Sequence, residues 1–157
     1  MLFTDPDVVV DFRAELAENN ADIARLLARQ LTLLNQLHRA GVAQADGARS
    51  MVDWTATTLD VNHNNAQQMV DAANRMYRTD PHLYRQFEAG DITFDRAIAT
   101  LNLIGTEAPT AVIERSFHID LTAVNRLTHQ YRAITRKDEK QAFCDRYFTI
   151  QPNLDNT

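Results

Sequence analysis

Cysteine is almost missing from this sequence: Cys144 is the only one in 157 residues. A lone cysteine excludes an internal disulfide and a cysteine-based zinc site, and it fits a reducing compartment. Glycine and proline are scarce too, at four each, which argues against an all-β protein with a turn every few residues. No apolar run is long enough to span a bilayer, so no membrane association is expected. The opening "MLFTDPDVVVDF" carries acids where a secretory signal would carry a basic region and then an apolar run. A cytoplasmic location is the resulting expectation. Positive charge is also short: 16 Lys and Arg stand against 21 Asp and Glu, for a formal net charge of −5. Taken alone, that balance disfavours tight nonspecific binding to nucleic acid, which depends on basic residues displacing counterions.

What is present is helical period. The length suits one domain with a real core, and 45% of the residues are hydrophobic. Asp5-Pro6 is a helix start, with Pro in the first turn, and "ENN" at 18–20 reads as its end. In "NADIARLLARQLTLLNQLHRAG", Ile23, Leu26, Leu27, Leu33, Leu34 and Leu37 form a wide apolar stripe, with Gly41 placed as a C-cap. "VAQADGA" reads as a turn. Helices are then expected from Arg49 to Leu59, from His63 to Arg78, over "HLYRQFEAG", from Thr93 as N-cap, and around 111–116. "LTAVNRLTHQYRAITRK", capped by Asp120, and "DEKQAFCDRYF" read as two more. The fold expected is an all-α bundle of about eight helices over residues 1–147. An extended tail, or the start of a following module, is expected over 148–157. Trp54 should be at least partly buried between the central helix pair and the Leu-rich helix.

The stretch "VNHNNAQQM", Val61 to Met69, raises the question of chemistry. A nuclease of the His-Asn-His type needs a general-base histidine and further ligands gripping a metal. His38, His82, His118 and His129 stand apart from His63, and no HxH, HxxxH or ExxH spacing supplies two ligands on one helix face. No catalytic residue, metal, cofactor or small-molecule substrate is therefore assigned. The spacing fits a helix–turn–helix better. Ala56 is small at the crossing, Leu59 closes the first helix, Val61 plugs the turn, and Asn62 caps the second helix. Ala66 and Met69 then face inward. Asp60 stands where such turns favour Gly. The outward face would be His63, Asn64, Gln67, Gln68, Asp71 and Asn74, with positive charge only from Arg75 and Arg78 onward. Asn and Gln can pair bidentately with adenine, so Asn64, Gln67, Gln68 and Arg75 are candidate DNA contacts. A plain polar helix face has the same composition.

Positive charge gathers near the C-terminus. From Arg115 to Arg146 there are seven Lys or Arg against four Asp or Glu, a local +3. At 100° per residue, Val124, Leu127, Tyr131 and Ile134 share one side of their helix. Arg126, His129, Arg132, Arg136 and Lys140 fall on the other. That sorting is the footprint expected for phosphate contact. A solvated helix surface can look the same.

Taken together, "ARSMVDWTATTLDVNHNNAQQMVDAANRM", a following Pro, and "FEAGDITFDRAIATL" resemble the actinobacterial domain of unknown function number 222. The features that match are Ala48-Arg49-Ser50, Trp54, the Ala66–Val70–Ala73 helix and Gly90–Ile92–Ala97. The resemblance runs from about Ile23 to the C-terminus. "RYFTIQPNLDNT" is similar to the family's passage into short strands, although Asn156 replaces a usual Gly. That domain usually precedes an HNH endonuclease module, whose motif would lie beyond this passage. The resemblance thus implies a helical, non-catalytic accessory region and carries no catalytic residue onto this sequence. Two readings remain open: a DNA-binding accessory module, or an interaction module that forms a homodimer through the Ala21–Ala40 helix.

Overall fold

A computed structural model describes residues 5–148, which hold eight helices and no strand. The all-α expectation is met. In chain order the helices are α1 (Pro6–Arg39), α2 (Val42–Ala45), α3 (Met51–Leu59), α4 (His63–Thr79), α5 (Pro81–Ala89), α6 (Phe94–Ile104), α7 (Thr110–Ser116) and α8 (Leu121–Phe148). The tail expected beyond α8 lies outside the described residues. No described helix is long and apolar enough to cross a membrane.

Two expected breaks are absent. Glu18-Asn19-Asn20 does not end a helix, because α1 runs unbroken for 34 residues. Asn is only a weak helix former, and neither Gly nor Pro interrupts the run. Lys137-Asp138 likewise lies inside the 28-residue α8. The strong stop signals behave as read. Asp5 caps α1 by accepting from Asp7 N–H, and Gly41 leaves it with a left-handed φ of 73°. Thr93 Oγ1 accepts from Arg96 N–H at 3.2 Å, and Asp120 Oδ2 accepts from Thr122 N–H at 3.1 Å.

The chain divides into two compact units, Met1–Ile98 and Ala99–Thr157. In the first, α1 packs on α4 and α5, and α3 packs on α4. Ala24, Ala28, Leu31 and Leu34 of α1 are buried, with Met69, Val70, Ala73 and Met76 of α4 and Leu83 and Phe87 of α5. Small alanines let the helix axes approach closely while the larger side chains fill the gaps. A hydroxyl cluster ties the three helices together. Thr32 Oγ1 donates to Ala28 O at 3.1 Å, so it accepts from Tyr77 OH at 2.8 Å and Tyr84 OH at 2.5 Å; one hydroxyl has one proton to give and two lone pairs. Burial above all pushes the Tyr84 phenol up from its ordinary range, with a further push from neighbouring Tyr77. At the end of α5, Arg25 Nε donates to Ala89 O at 3.0 Å. Gly90 there approaches so closely that an added Cβ would sit 2.8 Å from Ala21 O.

Trp54 is half-buried, in line with the partial burial expected of it. Its Nε1–H donates to Asp46 Oδ2 at 2.7 Å, and it lines a hollow with Gly47, Ala48, Arg49 and Thr58. It pins the link between α2 and α3. The second unit buries Ala99, Leu103, Ala108 and Val124, with Val112, Ile113, Leu121, Leu127 and Tyr131 packed against them.

Candidate nucleic-acid interface

The geometry of the central pair comes from a few residues. Ser50 starts α3 by accepting from Asp53 N–H at 3.1 Å. Asp60 ends it in the left-handed region, with φ 53° and ψ 50°. The turn-favouring position read from the sequence thus has the backbone that Gly would adopt, supplied by one of the few other residues that tolerate it. Val61 N–H closes the turn on Ala56 O at 3.1 Å. Asn62 Oδ1 then accepts from Asn65 N–H at 2.8 Å and opens α4. Behind the turn Ala66 is fully buried and Met69 nearly so.

With that face of α4 turned inward, Asn64, Gln67, Gln68 and Asp71 are exposed. Gln68 also edges a hollow of about 360 Å³ shared with Leu27, Gln30, Leu59 and Val61. Arg75 is partly buried and pairs with Asp71 at 3.1 Å, so the one acid on this face carries a compensating charge. Asn74 was expected to point outward as freely as the others. It is partly buried instead, and its Oδ1 lies 3.2 Å from His38 Nδ1 of α1. α1 crosses α4 there, and a helical-wheel reading of α4 alone could not show it.

Arg39, which the sequence reading passed over, joins Arg78 at this end. Arg39 of α1 and Arg78 of α4, both exposed, line a cleft of about 570 Å³ with Thr32, Asn35, His38 and Tyr77. The pair is separated widely in sequence, and only the packing of α1 on α4 brings it to one place.

The other predicted contacts belong to the second unit. Arg126, His129, Arg132, Arg136 and Lys140 are all exposed on α8. Val124, Leu127 and Tyr131 are covered on the opposite side, but Ile134 is 52% exposed. The apolar side of α8 therefore loses its cover after Tyr131. The structure thus groups Asn64, Gln67, Gln68 and Arg75 on α4, and the five basic-face residues on α8, in separate units.

His63 stands at the start of α4 with Nδ1 3.6 Å from Asp53 Oδ1, the imidazole exposed and the carboxylate half-exposed. No group of three or more His, Cys, Asp or Glu is placed to hold a metal ion among the described residues. What fold and site define is an all-α protein with a helix–turn–helix-like pair. No family model, curated protein or solved structure matches the chain.

Proposed function

We propose that this chain is a non-catalytic accessory module that binds DNA through the α3–turn–α4 pair. The observation that carries the reading is the division of α4. One side locks into α1 and α3, and the other presents Asn64, Gln67 and Gln68 to solvent at the N-terminal end. Helix–turn–helix proteins contact base edges with the first turns of their second helix. Amide side chains there can pair bidentately with adenine. Phosphates need cations instead, since backbone contacts position a protein and base contacts specify its site. Arg39 and Arg78 beside α4, and the α8 basic face, supply them. The resemblance to a region that precedes nuclease modules agrees with this role.

The test compares labelled duplexes in fluorescence anisotropy. Gln67→Ala and Gln68→Ala should narrow the gap between preferred and random sequence by about 1–3 kcal/mol per bidentate pair lost. Arg126→Ala with Arg132→Ala should weaken binding to all sequences alike. If the amide variants change nothing while the arginine variants abolish binding, α4 is not a reader.

A further inference from the structure

Helix α1 carries a second apolar stripe, distinct from the one that meets its own chain. Val9, Leu16, Ile23, Gln30 and Leu37 recur every seven residues. Phe12, Asn19, Leu26 and Leu33 interleave with them, so the steps alternate between three and four. That is the repeat of a coiled-coil seam. Phe12 is 61% exposed, Leu16 70%, Ile23 56%, Leu26 68% and Leu33 40%. The residues that meet the body of the first unit, Ala24, Ala28, Leu31 and Leu34, lie on another side of the helix. From Pro6 to Asn20, every residue but Val9 is exposed. A helical stretch of that length with nothing packed on it is marginal in water.

The charges along α1 say what covers the seam. From Pro6 to Asn20 there are four acids (Asp7, Asp11, Glu15, Glu18) and one base (Arg13), a net −3. From Ala21 to Arg39 there are three arginines (Arg25, Arg29, Arg39) and one acid (Asp22), a net +2. A second copy laid antiparallel sets each acidic half over a basic half. A parallel copy would set acid on acid. One antiparallel register also matches every layer from Phe12 to Leu37. Leu16 then faces Leu33 of the second copy, Ile23 faces Leu26, and Phe12 faces Leu37. The two polar residues of the seam, Asn19 and Gln30, face each other and can exchange amide hydrogen bonds. A polar layer of this kind fixes register and orientation, and the twofold axis makes each pairing occur twice.

We propose that the chain forms a homodimer through an antiparallel α1–α1 coiled coil spanning Phe12 to Leu37, an interface longer than the Ala21–Ala40 helix alone. The proposal is independent of DNA binding. Light scattering on the full chain should give twice the 17.8 kDa of one copy. Leu16→Glu with Leu26→Glu should give a single copy with helical circular dichroism retained, because neither side chain is buried within one chain. Orientation is read in a Cys144→Ser background by mixing Leu16→Cys chains with Leu33→Cys chains under mild oxidation. The mixed disulfide should dominate. A single-copy mass for the unaltered chain would overturn the proposal, as would a dimer that survives the glutamate pair. Dominance of the disulfide between two Leu16→Cys chains would overturn the antiparallel arrangement.

Discussion

Asp60 carries the strain of the turn between α3 and α4, at φ 53°. A left-handed backbone costs an ordinary L-residue about 1–2 kcal/mol and a glycine almost nothing. Asp60→Gly should therefore leave the urea midpoint level or raise it, while Asp60→Val should destabilise by about 1–2 kcal/mol. Equal losses from both would mean that the aspartate side chain, not the backbone, holds the turn. Thr55, one turn earlier, is fully buried and its hydroxyl meets no hydrogen-bond partner. A buried unsatisfied group costs about 1–3 kcal/mol. Val has the same shape without the hydroxyl and a similar helix propensity. Thr55→Val should then raise stability by about 1 kcal/mol, measured by the same melts; a loss of that size would show that the hydroxyl is satisfied in solution. Asp60 was visible in the sequence as a turn position, since local spacing reports local backbone; Thr55 was not singled out there, because its burial depends on what packs against α3. The contact between Asn74 and His38 was not visible either, because it depends on which helix crosses α4.

The same limit governs the helices. Caps and stops at Asp5, Gly41, Asn62, Thr93 and Asp120 are written in local chemistry and were legible. The continuity of α1 through Asn19-Asn20 and of α8 through Lys137-Asp138 was not, because weak helix formers stay helical when nothing competes for their backbone. The apolar residues of α1 were legible as one wide stripe; that they divide between a body-facing side and an open side is decided by packing. α8 divides along its length in the same way. Val124 and Thr128 are buried, while from Arg132 to Arg146 every residue but Cys144 is exposed. Local opening follows the density of buried contacts. Hydrogen exchange should thus protect the amides around Val124–Thr128 well above those around Thr135–Phe143. Uniform protection along α8 would mean that its distal half is covered in solution.

At the scale of the whole molecule, a net charge of −5 opposes binding to a polyanion, so the proposed DNA binding rests on local arrangement. The N-terminal end of α4 is amide-rich and nearly uncharged. Arg39 and Arg78 lie near the other end of α4, and the basic face of α8 belongs to the second unit. The most direct measurement of the central claim is the anisotropy of a labelled duplex titrated with the intact chain across a salt series. Binding should fall as salt rises, with a slope that flattens by about 0.9 for each phosphate contact removed by Arg126→Ala or Arg132→Ala. An intact, folded chain that leaves the duplex unbound even at low salt would contradict the account and leave the exposed faces of α4 and α8 as ordinary solvated surfaces.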